Sequence, residues 1–102
     1  MQQISNEQLV LDISVNLARV SDWILDPQEI KQKRVDQFLQ QTESYLNDLS
    51  KNDISDHFKP TLDRFRAEFE NLLMTRDSGN TYDWAERALT WANILQHRAK
   101  LA

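Results

Sequence analysis

The chain has 102 residues, of which 40% are hydrophobic, with one glycine, two prolines and no cysteine. That composition allows one domain with a modest core and excludes disulfide scaffolds, thiol nucleophiles, P-loops, dinucleotide-binding turns and turn-rich all-β folds. Twelve basic and sixteen acidic residues give a formal net charge of −4, so nucleic-acid binding would need a segregated basic face. The pattern predicts a single helical domain over residues 1–102, with helices at about 6–25, 27–50, 57–77 and 81–101.

The first predicted helix begins with a capping box, in which Ser5 is followed three residues later by Gln8. Ile4 and Leu9 have the spacing of a hydrophobic staple around that cap. Apolar residues then recur at helical spacing and form the main face: Leu9, Val10, Ile13, Leu17, Val20 and Ile24.

The same helix carries a second apolar stripe, centred on Val15. Its members are Leu11, Val15, Ala18 and Leu25. Polar residues separate it from the main face: Asp12, Asn16 and Arg19 on one side, Ser14 and Ser21 on the other. A helix at the edge of a bundle needs one apolar stripe, so a second stripe requires a further neighbour. Either helix 1 is wedged between helices of its own chain, or the stripe is a homodimer or partner interface.

The second predicted helix begins after Asp26, an N-cap residue, with Pro27 at the first helical position and Glu29 supplying the reciprocal carboxylate. Its apolar face consists of Val35, Phe38, Leu39, Thr42, Tyr45, Leu46 and Leu49. Almost no residue separates this helix from the first, so the two are expected to meet at a sharp corner.

The only basic cluster, Lys31, Lys33 and Arg34, lies at the start of the second helix. The three cations spread around the helix, Glu29 and Asp36 flank them, and no exposed aromatic residue interleaves with them for base stacking. This arrangement is typical of a solvated helix surface, and we expect no nucleic-acid partner.

The third predicted helix starts near Asp56, with Pro60 tolerated in its first turn. Its apolar stripe consists of Phe58, Leu62, Phe65, Phe69, Leu72 and Leu73. Gly79 is expected to end it as a left-handed C-terminal cap, and the fourth helix opens at Asn80 or Thr81.

The fourth helix places two tryptophans on one line with small residues beside them. That line is Trp84, Ala88, Trp91 and Leu95, and an alanine recurs every seven residues beside it at Ala85, Ala92 and Ala99. One interpretation is a Trp-lined groove for an apolar ligand or a partner helix. The favoured one is a core line in which each indole N–H finds an acceptor.

Chemistry-bearing residues are sparse. His57 has Asp53 and Asp56 nearby, so a metal or general-base site can be imagined, although acidic residues at a helix start are typical of capping. Neither His57 nor His97 follows a glutamate by three residues, as a di-metal carboxylate bundle requires. We therefore expect no catalytic residues, metal or cofactor.

Four helices of roughly 20 residues, or about 30 Å each, predict an all-α four-helix bundle. The short corner leaves open an alternative, a three-helix bundle of helices 2–4 with helix 1 docked across it. Residues 1–5 have no positive charge or apolar stretch and so do not resemble a signal peptide, and the longest apolar runs, 9–11 and 23–25, are too short to span a bilayer. A cytoplasmic protein with no membrane partner is expected.

The predicted function is a non-enzymatic interaction, assembly or regulatory module that acts as a homodimer through the second stripe of helix 1. The first alternative is a binder of small apolar ligands that uses Trp84 and Trp91. The second is a metal-dependent enzyme around His57.

Overall fold

The helices of the computed structural model, which describes residues 4–102, run alternately up and down. Their bounds are α1 Asn6–Trp23, α2 Glu29–Lys51, α3 Lys59–Thr75 and α4 Thr81–Arg98, followed by a 3₁₀ turn at Ala99–Leu101. Residues 1–3, on which part of the signal-peptide expectation depends, lie outside the described residues. The predicted all-α four-helix bundle is confirmed.

Helix α1 is a full member of this bundle. It lies along both α2 and α4, its main neighbours. Hydrogen bonds show that α1 is antiparallel to α4, because Ser14 bonds to Ala92, and Ser21, seven residues later, bonds to Ala85, seven residues earlier. The alternative in which helix 1 docks across a three-helix bundle is therefore wrong.

One continuous core fills the space between the four helices. The main face of α1 is buried in it, as are Phe65 and Phe69 of α3 and most of the apolar face of α2, where Phe38 and Tyr45 are partly buried. Phe58, Phe65 and Phe69 are among its largest fully buried side chains. Burying one large apolar side chain contributes about 1.5–3 kcal/mol, so this core is the main source of stability.

The corner between α1 and α2 is longer than expected, because α1 ends at Trp23 and α2 begins at Glu29. Helix α2 begins at Glu29, two residues after the predicted position, and Gln28 occupies its N-cap without a side-chain hydrogen bond. Asp26 forms a local turn instead, because its carboxylate accepts from the backbone N–H of Gln28 at 3.0 Å. Gln32 fastens the corner by donating from Nε2 to the carbonyl of Asp26 at 2.7 Å.

Gly79 does not cap α3. The helix ends at Thr75, and Gly79 has a φ of 157°, far from the value of about +57° that a left-handed cap needs. The start of α4 follows expectation, because the Asn80 side chain accepts from the backbone N–H of Asp83 at 3.1 Å. Pro60 lies in the first turn of α3, where a missing N–H costs nothing.

Candidate functional site

Three sides of α1 are covered by the rest of the chain. The main face lies in the core. On the α4 side, the hydroxyls of Ser14 and Ser21 are buried and donate to the carbonyls of Ala92 and Ala85, each at 2.7 Å. On the α2 side, the buried amide of Asn16 donates to Gln41 Oε1 at 3.0 Å. These polar residues, which separate the two apolar stripes in sequence, are thus helix contacts.

The second stripe occupies the remaining side of α1, and the structure divides it. Leu11 and Ala18 are partly buried and pack against the core. Val15 and Leu25 point outward, with 47% and 43% of their surface exposed. Two members of the stripe therefore pack within the chain, and two remain exposed.

Helix α4 adds a third exposed apolar side chain beside them. Leu89 is 44% exposed and lines an open groove of about 570 Å³ together with Val15, Ala18 and Leu25. We call this surface the α1–α4 groove; its other lining residues are Arg19, Ser21, Asp22 and Trp23. The sequence analysis did not identify Leu89, because it lies off the Trp–Ala line of α4. Leu89 and Ala18 line the same groove only because α4 packs on α1.

A cluster of cations and aromatic rings lies next to this groove, where α1 meets α2. Trp23 and Phe38 meet edge to face, with ring centroids 4.9 Å apart. Arg34 and Lys31 lie over the Trp23 ring at 5.7 and 6.0 Å, and Arg19 lies over Phe38 at 5.7 Å. We call these five residues the cation–aromatic cluster. The sequence analysis did not identify Trp23, a partly buried ring of the preceding helix, as a neighbour of the basic cluster.

The cations of this cluster are not neutralised by carboxylates of the described chain. Ion pairs within residues 4–102 involve Lys33, Lys59, Arg76 and Arg87, and none involves Arg19, Lys31 or Arg34. Lys33, between the two α2 cations in sequence, pairs with Glu29 at 3.5 Å. The predicted basic cluster therefore divides into one paired lysine and two cations held over an indole ring.

The tryptophan line of α4 lies mostly inside the bundle. Trp84 is 3% exposed, and its indole N–H donates to the carbonyl of Leu72 at 2.8 Å. Ala88 and Leu95 are buried as well, whereas Trp91 is partly buried with its ring 5.5 Å from that of Phe65. Trp84, Ala88 and Leu95 pack helices together, whereas Trp91 also lines a small groove of about 180 Å³ between α3 and α4.

His57 lies on the surface in the turn before α3. Its backbone N–H donates to the Ser55 hydroxyl at 3.3 Å, and no side chain caps the helix, so the expected capping role of Asp56 is wrong. Asp56 instead accepts from Lys59 Nζ at 3.0 Å, and that hydrogen bond raises the pKa of Lys59 above its ordinary value. Within residues 4–102, no three His, Asp or Glu side chains lie close enough together to hold a metal ion.

Comparison with known proteins identifies no relative of this chain. No family model matches the chain, and no curated protein or solved structure shows significant similarity to it. None of the helices in the described range is both long and apolar enough to cross a membrane. The class that the observations define is an all-α four-helix bundle with an apolar groove between its first and last helices.

Proposed function

We propose that this protein is a non-enzymatic, cytoplasmic interaction module that forms a homodimer through the α1–α4 groove. The observation that carries the proposal is the grouping of Val15 on α1, Leu25 in the turn after it and Leu89 on α4, three half-exposed apolar side chains that line one groove. Single exposed apolar residues are ordinary on a protein surface, whereas contiguous ones mark interaction sites.

A second copy of the chain is an economical occupant of the groove. In a dimer with two-fold symmetry the same patch is used by both copies, so one association covers the exposed residues of both. Ala18 lies between larger neighbours in this groove and leaves room for a side chain of the second copy. Such close approach at small residues already occurs within the chain, between Ser14 and Ala92.

The size of this face sets the expected strength of association. Helices of 18 residues, as α1 and α4 both are, are about 27 Å long, and two helices side by side are about 20 Å wide. The face therefore offers on the order of 500 Å² per copy, or about 1,000 Å² in a dimer, which is at the low end for specific interfaces. We expect association in the micromolar range, with a clear dependence on concentration.

Light scattering on a sizing column, over a series of protein concentrations, tests the proposal. The wild-type chain should approach twice its 12.1 kDa mass as the concentration rises. Val15→Asp places a charge in the groove and should leave a monomer at every concentration. Its helicity by circular dichroism should be unchanged, because residue 15 faces outward.

Met74→Asp is the matched control. Met74 is the most exposed large apolar residue, at 81%, and lies on α3 outside the groove, so this variant should dimerise like the wild type. A wild-type chain that stays monomeric at several hundred micromolar would contradict the homodimer. Equal loss of association in both aspartate variants would show that the groove is not the interface.

A further inference from the structure

The cation–aromatic cluster concentrates positive charge on a chain whose net charge is −4. Arg19, Lys31 and Arg34 converge on two rings that touch one another. The proposed dimer gives Lys31 and Arg34 no role, because neither lines the α1–α4 groove. They belong to a surface of a different chemistry.

The rings position the cations without consuming their hydrogen-bonding capacity. A guanidinium or ammonium group over an aromatic face is attracted by the ring quadrupole, while its remaining N–H donors stay available. Lys31 and Arg34 are three residues apart on α2, so they are neighbours on the helix surface, about 5–6 Å apart at Cβ. Two carboxylates three or four residues apart on a partner helix have the same spacing.

An apolar contact lies directly beside these donors. Trp23, which carries both α2 cations, is also a lining residue of the α1–α4 groove together with Leu25. A ligand that reaches Lys31 and Arg34 can therefore place an apolar side chain against Trp23. The combination of two cations and one apolar anchor fits an amphipathic segment better than a small anion.

We infer that the cation–aromatic cluster binds an acidic helical segment of another protein. Two carboxylates of that segment accept from Lys31 and Arg34, and a neighbouring apolar side chain packs on Trp23. A polynucleotide is disfavoured, because the negative charge of the whole chain repels an extended polyanion. A short acidic helix meets fewer of the chain's carboxylates than an extended polyanion does, since repulsion from distant carboxylates is screened beyond about 10 Å at 0.1 M salt.

The test uses a fluorescein-labelled helical peptide of about four turns, with glutamates four residues apart and one leucine beside each pair. Fluorescence anisotropy should show saturable binding to the full chain that weakens as salt is raised. The peptide in which lysine replaces glutamate should not bind. Val15→Asp is titrated in parallel, so that competition from a second copy is removed and failure of the dimer is distinguished from failure of this inference.

Two charge reversals of equal magnitude locate the site. Arg34→Glu should weaken peptide binding about tenfold, because it replaces a charge-assisted donor with a repulsive carboxylate. Lys33→Glu makes the same change in net charge one residue away, at a lysine that pairs with Glu29 and lies off the rings, and should change binding less than twofold.

Three results would overturn the inference. They are absence of saturable binding to the acidic peptide, equal weakening by the Arg34 and Lys33 reversals, and tighter binding of a single-stranded oligonucleotide of equal charge with the same dependence on Arg34. The last would assign the cluster to nucleic acid.

Discussion

The contact between α1 and α4 is built differently from the contact between α2 and α3. Between α1 and α4, small residues allow close approach, and two serine hydroxyls donate to backbone carbonyls of the facing helix. Between α2 and α3, long side chains bridge the gap: Arg76 reaches Asp36 and the carbonyl of Gln32, and Arg66 reaches Ser50.

This difference explains why the apolar groove lies where it does. On the α2–α3 side, Arg66 and Arg76 line open grooves together with carboxylates, and Leu73, which lines both grooves, is 38% exposed. Serine and alanine fill only the inside of the α1–α4 contact, and Val15, Leu25 and Leu89 project beyond it. Close packing of small residues thus leaves the larger neighbours uncovered.

The largest expected effect on stability comes from enlarging a small residue at the close contact between α1 and α4. Ala92→Leu adds three carbons at a residue that is 2% exposed, beside the carbonyl that Ser14 bonds. Overpacking of this kind costs about 1–3 kcal/mol, and we expect the upper end because two backbones must separate. Urea denaturation followed by circular dichroism measures the loss. A change below about 0.5 kcal/mol would show that the contact is not close-packed.

Removing a bridging arginine should cost less. Arg76→Ala deletes the ion pair with Asp36 and the bond to the Gln32 carbonyl at 3.2 Å, so we expect a loss of about 1–2 kcal/mol. The effect should shrink in 1 M sodium chloride, where charges are screened. The loss of stability caused by Ala92→Leu should be the same in 1 M sodium chloride. If salt changed the two losses equally, the claim that the α1–α4 and α2–α3 contacts are built differently would be contradicted.

A smaller loss of stability is expected when a serine hydroxyl between α1 and α4 is removed. Ser21→Ala keeps the small volume and removes one hydrogen bond, to the Ala85 carbonyl at 2.7 Å, so it should cost about 0.5–1.5 kcal/mol. Ser44→Ala, at an exposed serine of α2, is the matched control and should cost less. The midpoints of urea denaturation of the two variants test this prediction, and equal midpoints would contradict it.

The smallest expected effect on stability belongs to the groove itself. Leu89→Asp changes an outward-facing residue of α4 and should alter the free energy of unfolding by about 0.5 kcal/mol or less. It should nevertheless abolish the proposed dimer in light scattering. A Leu89→Asp chain that dimerises normally would restrict the interface to α1.

Periodicity identified most of the fold because each helix buries one face. The main face of α1 and the phenylalanine stripe of α3 lie in the core, as their spacing predicts. Helix ends were harder, because local side-chain bonds competed with the expected caps. The Asp26 carboxylate accepts from the backbone N–H of Gln28 instead of capping α2, and α3 ends at Thr75, before Gly79.

The candidate surfaces were only partly predictable. Val15 and Leu25 follow from the spacing of α1, whereas Leu89 belongs to the groove through its neighbour alone. Trp23 likewise meets Lys31 and Arg34 because the corner at Asp26 folds α2 back along α1. The spacing of residues within one helix does not determine which residues of a second helix they contact.

By itself the sequence determined that the chain forms four amphipathic helices and identified most of the residues that form the core. Leu73, which the spacing placed on the apolar stripe of α3, is 38% exposed. Solvent exclusion acts on every helix separately, so the pattern can be read helix by helix. The tertiary structure decided which of the remaining apolar residues were covered. The tryptophan line of α4 and the outer stripe of α1 are both apolar at helical spacing, yet the first is mostly buried and Val15 is exposed. Burial of a second face depends on which helix lies beside it, and that is a property of the assembled bundle.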